Sequence, residues 1–346
     1  MNKKAIFIVL ATLILVVIAF LIKQFNVYPS LVGLISKRGP ENLVLQEVKD
    51  VSLAGGADRL DYQSIDYGIG RLYISHLGSS MVHVFDLKKQ QVVADITLPS
   101  SPYGILAVSD LNTVYVSVGG SNQVGVIDES TLKVIKYIPA GTTPDGIAYS
   151  PQTKKIFVSN ENGGTVTVID AQTDERMADI PIGGGVGNTQ SDVQQNKIYT
   201  AAGEDNKLVE IDPVANKIVN KYNLPGCSRP HGFYIDEQTR YAFITCQINN
   251  VMVVFDLDSK KVISSDTVGA LPDVLAYDIG LHHLYISGEA GVMSIFDVQK
   301  GTVKKIHEGF IADRAHTVAV DQKTHYVYLP IEDVSGKPTL RVLRPL

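Results

Sequence analysis

Residues 144–182 read PDGIAYSPQTKKIFVSNENGGTVTVIDAQTDERMADIPI, and how this stretch divides decides the fold. Four short runs, 144–150, 154–160, 164–170 and 176–182, are rich in β-branched and aromatic residues. Between them stand PQT, ENG and AQTDE, which are turn residues. No run keeps a helical period, so the pattern predicts four strands joined by tight turns.

The same unit recurs along the chain. RLYIS, TVYVS, KIFVS, KIYTA, YAFIT, HLYIS and YVYLP bring Tyr73, Tyr115, Phe157, Tyr199, Phe243, Tyr285 and Tyr328 into register, at steps of 42, 42, 42, 44, 42 and 43 residues. Asp86, Asp128, Asp170, Asp212, Asp256 and Asp297 keep nearly the same spacing and read as turn builders after a third strand. Four strands in a repeat of about 40–45 residues mark a β-propeller blade. The expected fold is all-β, a seven-bladed propeller over residues 43–346. The last unit has room for three strands only. NLVLQEVKDVSL, Asn42–Leu53, is expected to supply the fourth and close the ring, leaving no exposed sheet edge.

The motif TVYVS…GVID (113–128) and its copies resemble the YVTN-repeat family of bacterial seven-bladed β-propellers, over residues 43–346. The resemblance implies the architecture and a binding role, since members are mostly binding proteins or proteins of unassigned activity. More distant seven-bladed propellers include lactonases and subunits of quinone-linked amine dehydrogenases.

Ahead of the repeats, Ala5–Ile22 is an 18-residue run without a charge, preceded by Lys3 and Lys4. As a helix it would extend roughly 27 Å, enough to cross a bilayer core. No small-residue cleavage site of the A-x-A kind follows it, which favours an uncleaved anchor over a cleaved signal peptide. The expectation is a short cytoplasmic leader and transmembrane helix over 1–22, a linker over 23–42, and a propeller held at the membrane on the extracytoplasmic side, in a bacterial periplasm or at the cell surface. Partners would then be the membrane itself, another envelope protein or a small ligand. With 31 basic against 36 acidic residues and no basic stripe, a nucleic-acid partner is not expected, because such binding rests on phosphate neutralisation.

Function in a propeller tends to sit at one mouth of the central channel. Twelve residues before each landmark aromatic, the repeats place Asp61, Tyr103, Asp145, Gly187, His231, Asp273 and His316, three aspartates and two histidines among seven. The register of the first hairpin adds His76, Asn160 and Cys246 close by. The adjoining loops add Glu161, Glu204, Asp205, Glu289, Glu332 and Asp333. One reading is a site for a divalent metal, the one cofactor suggested, with His231, His316 and Asp273 as ligands. Mixed imidazole and carboxylate suit a transition metal. Another is a ligand site lined by Asp61, His76, Tyr103, Asp145, Asn160 and Asp273. The plain alternative is that the aspartates satisfy backbone N–H groups where strands begin. His282, His283 and His325 fall in hairpin turns and are expected to be solvated.

Cys227 and Cys246 are the only cysteines. Outside the cytoplasm a disulfide between them would stabilise the fold by roughly 3 kcal/mol; left free, a Cys–His metal site becomes the alternative. No C-x-x-C-H or G-x-S-x-G motif is present. The functional expectation is a membrane-tethered binding or scaffold module. The competing one is an enzyme, a metal-dependent hydrolase of the lactonase kind or an oxidoreductase component, using the His/Asp site.

Overall fold

The computed structural model describes residues 44–346, so the expected leader, membrane helix and linker lie outside the described residues. Among the described residues no helix is long and apolar enough to cross a membrane.

Those residues form seven four-stranded antiparallel sheets. Blade 1 comprises Gln63–Asp66, Arg71–His76, Met81–Asp86 and Gln91–Thr97, numbered outward from the central axis. Blades 2 to 6 repeat this order, with first strands Pro102–Val108, Pro144–Ser150, Val186–Asp192, Pro230–Asp236 and Pro272–Asp278. Blade 7 takes Ala319–Val320, Val327–Val334 and Lys337–Pro345 from the C-terminus and its outer strand, Leu45–Ser52, from the other end of the described chain. That outer strand runs antiparallel to Lys337–Pro345, from Leu45 opposite Pro345 to Ser52 opposite Thr339.

Burial follows from stacking blades face to face. Second and third strands are covered on both faces and buried almost throughout, polar Ser159, Asn160 and Thr167 included, whereas fourth strands are largely exposed. The landmark aromatics of all seven second strands are at most 1% exposed. Several tie one blade to the next through their hydroxyls. Tyr115 Oη donates to Asp174 (2.9 Å), and Tyr199 and Tyr328 Oη accept from Lys260 (2.8 Å) and Gln90 (3.2 Å). Asp174, Lys260 and Gln90 hold the same turn position in the following blade, each with a left-handed φ of 53–59°. The last of these ties joins blade 7 to blade 1.

Two irregularities recur in register. In blades 2 to 6 the ladder between first and second strands breaks over two residues, for example between Pro144 and Ile147. Each fourth strand carries one extra residue: Val93, Ile135, Met177, Val219, Ile263, Ile306 and, in Leu45–Ser52, Val48. Such bulges re-aim side chains and bend the strand that carries them.

Candidate functional site at the channel mouth

The break in the inner ladder is what builds the site. Tyr103, Asp145, Gly187, His231 and Asp273 all fall inside it, released from regular pairing. Asp61 and His316 stand just before the first strands of blades 1 and 7. The break also displaces the expected hairpin register by one residue, so Asn160 lies opposite Pro144 and Cys246 opposite Pro230.

Around the mouth the charged members converge on Asp273. His316 Nδ1 lies 3.0 Å from its Oδ2 and His231 Nδ1 3.3 Å from its Oδ1. His316 Nε2 donates to the Leu60 carbonyl at 2.7 Å, which fixes the ring. Arg59 donates to Glu289 at 2.7 Å and stands 3.8 Å from Asp273. Gly187 lets the next blade approach closely, since a Cβ there would meet His231 Cα at 2.8 Å.

Burial disfavours the charged imidazoles, but nearby carboxylates outweigh it. His231 is raised to about 9 against that penalty by Asp273, Asp145 and Glu161. His316 is raised to about 9, against burial and Arg59, by Glu289 and Asp273. Asp273 is also desolvated, yet the two imidazoles beside it hold it far below the usual carboxylate range. Asp61 goes up to about 6, chiefly by burial, with Arg59 and His316 pulling the other way. Asp145 is pushed well above its ordinary value by burial, and the attraction of His231 does not compensate. Tyr62, within electrostatic reach of Asp145, Asp273 and Asp61, is raised by burial and by those carboxylates. Asp145 Oδ1 and Tyr62 Oη are buried without a hydrogen-bond partner, and Asp273 Oδ1 and His231 Nδ1 face each other at 3.3 Å without meeting in hydrogen-bond geometry.

The second expected set does not join this group. His76 bonds His83 (2.9 Å) and stands 2.7 Å from the Asp58 carboxylate, and His83 in turn meets Asp95 at 2.6 Å. Asn160 accepts from Gly141 N and donates to Thr165 and Thr167. Cys246 is bridged to Cys227, with Cα atoms 5.3 Å apart, clamping the loop that leads to His231. Ending a second strand, these three side chains find partners inside their own blades. Tyr103 packs against Gly119 of its own blade while staying within the field of Asp61, Glu161 and Asp145. His325 is not simply solvated: it bonds Asp278 of the preceding blade at 2.8 Å.

For a metal, the groups that face one another are Asp273, Glu289 and His316, with one ligand atom from each within 4.8 Å of the others. This differs from the expected trio, as Glu289 replaces His231. The set already faces a cation, because the Arg59 guanidinium bonds Glu289 and borders Asp273. Arg59 and Tyr62 were not among the expected site residues. Tyr62 had a signal: it follows the ring position, where blades 2, 3 and 5 carry Gly104, Gly146 and Gly232.

A sequence profile of the choice-of-anchor I domain matches residues 71–272, more than half of the chain. No curated protein matches the sequence. A chain of Kuenenia stuttgartiensis hydrazine synthase superposes with a TM-score of 0.70 at 17% identity, covering 81% of this chain and 94% of that one. A chain of a mitotic checkpoint complex superposes with a TM-score of 0.74 at 10% identity, covering 89% and 94%. At such identities the likeness is one of fold, and function has to be argued from the site.

Proposed function

The chain belongs to the choice-of-anchor I domain family, and from that premise we propose that it is a membrane-tethered, extracytoplasmic propeller module that binds a small ligand at the channel mouth. One observation carries the binding role: a buried ring of carboxylates and imidazoles in which Asp145 Oδ1, Asp273 Oδ1 and Tyr62 Oη have no hydrogen-bond partner. Buried polar atoms are normally satisfied, and each one left unmade costs about 1–3 kcal/mol, so a partner from outside the chain accounts for their retention. The Cys227–Cys246 bridge supports an oxidising compartment, and the apolar run Ala5–Ile22 supports the tether. In the same reading Leu45–Ser52 is the clasp that closes the ring, and the period near 42 residues with the TVYVS motif supports kinship with the YVTN-repeat propellers.

The test is a thermal-shift screen of the full-length chain in detergent against chemically distinct classes: metal ions, amines, sugars, organic acids and lactones. At least one class should raise the melting temperature of the parent and not of Asp145→Asn. A panel without such a class would sink the reading.

A second reading is favoured by the His231–Asp273–His316 arrangement. Asp273 orients both imidazoles, which hold their protons below about pH 9 and supply general acids, while Asp61, raised to about 6, is the carboxylate able to take up a proton, an acid–base pairing of the hydrolytic kind. Lactone hydrolysis by the parent that disappears in His231→Gln would support it over binding alone.

A further inference from the structure

We propose that the mouth binds a protonated alkylamine, whose ammonium group is received by Asp145, Asp273 and the Tyr62 hydroxyl. This rests on the reading of the mouth as a ligand site and specifies the ligand's chemistry.

The unpartnered atoms define what is missing. Asp145, Asp273 and Tyr62 are 3%, 4% and 8% exposed, and each presents an oxygen with no hydrogen-bond partner. Two of these oxygens belong to carboxyl groups, which in the ionised form can only accept, and a phenol oxygen accepts as well as donates. An ammonium brings three N–H donors on a single positive centre. Aromatic faces suit the same ligand, since Tyr62 and Tyr103 border the carboxylates that would attract it.

Charge points the same way. The carboxyls at the mouth are Asp61, Asp145, Asp273, Glu161 and Glu289. Arg59 is engaged by Glu289, Arg229 stands 3.8 Å from Glu161, and both imidazoles are drawn to Asp273. With both imidazoles charged, four cationic groups face five carboxyls, and of these Asp145 is the one that burial pushes furthest toward its protonated form, so a cation beside it is what would let it ionise. Among the described residues Asp145 has no ion pair or side-chain hydrogen bond, so the missing cation is on its side.

A bare metal ion fits less well. Among the described residues the one set that could surround a metal is Asp273, Glu289 and His316, where Arg59 already stands, and Asp145 is not part of it. A ligand on the Asp145 side therefore has to carry its own hydrogen-bond donors.

The experiment is isothermal titration of the full-length chain in detergent with n-butylammonium, Nα-acetyl-lysine amide, tetramethylammonium, sorbitol and manganese(II), all at constant ionic strength. The expected result is saturable one-to-one binding of butylammonium, of the lysine amide, or of both, which separates a free amine from one carried on a peptide. Tetramethylammonium, a cation without N–H groups, should bind at least tenfold more weakly. Asp145→Asn should weaken amine binding at least tenfold, and Tyr62→Phe, which keeps the ring and removes the hydroxyl, several-fold. Near-ultraviolet circular dichroism of both variants checks that the fold is retained. Equal binding of tetramethylammonium, preference for sorbitol or manganese, no amine binding, or undiminished binding in a folded Asp145→Asn would each overturn the proposal. An Asp145-dependent ligand of another class would remove the amine but leave the mouth a ligand site; no Asp145-dependent ligand of any class would remove both.

Discussion

Asp273 organises the mouth, because two imidazoles and a guanidinium approach one buried carboxylate from different blades. Arg59 acts there as a built-in cation, and its removal has a defined consequence. Arg59→Ala leaves Asp273, Glu289 and His316 facing one another, with the His316 ring held by the Leu60 carbonyl in the orientation that frees Nδ1 for a metal. The variant should gain one zinc site by titration calorimetry, with the parent binding far more weakly; equal binding by both would show that Arg59 does not fill the site. The imidazoles also predict a pH dependence. Both have folded-state values raised to about 9 from 6.5, so their stabilising contribution is complete below about pH 6.5 and is lost as pH rises through 9. Urea midpoints should fall over that interval in the parent and less in the His231→Gln/His316→Gln variant. An identical slope in both would assign the dependence to other groups.

At the level of elements, the recurring outer bulge bears on how seven exposed fourth strands avoid pairing with strands of other chains. An unbroken outer strand offers a row of free N–H and C=O groups to any other strand, and a bulge twists that edge away from the flat geometry pairing needs. The extra residue is apolar in every blade, and Ile135, Met177, Val219 and Ile263 are 47–60% exposed. These side chains therefore contribute little to the core, and it is the additional backbone that matters. Excising Met177 should restore a continuous ladder and produce concentration-dependent self-association in sedimentation velocity. Met177→Lys keeps the bulge and should behave as the parent does. If both variants sediment like the parent, the bulge does not protect the edge. The inner break has a different consequence, as it releases Asp145, His231 and Asp273 from regular pairing.

Across the whole molecule, blade 7 is the one assembled from both ends of the propeller. Arg341 makes a two-bond pair with Asp50 across the join and approaches Glu47 at 3.3 Å, but an exposed pair contributes about 1 kcal/mol or less, so the ladder itself is the main tie. In a version of the propeller lacking residues 44–52, Lys337–Pro345 becomes an open edge. Its thermal unfolding should broaden and begin at lower temperature than that of the propeller with the strand; coincident curves would mean the strand is no clasp. The architecture was legible in the chain because each blade repeats the same local instructions, alternation for strands, turn residues between them and one aromatic per second strand, and seven copies spaced near 42 residues leave one arrangement that buries both faces of every sheet. The same spacing was enough to bring Asp61, Asp145, His231, Asp273 and His316 into one ring. It could not tell that His76, Asn160 and Cys246 find partners within their blades, because a count of positions shows neither the neighbours met at a strand end nor the break of two residues in the inner ladder beside Asn160 and Cys246. Nor could it supply Arg59 and Tyr62, or exchange His231 for Glu289 among the facing ligands. Those assignments depend on which side chains from separate blades arrive at the same point in space, and only the closed packing of one blade against the next decides that.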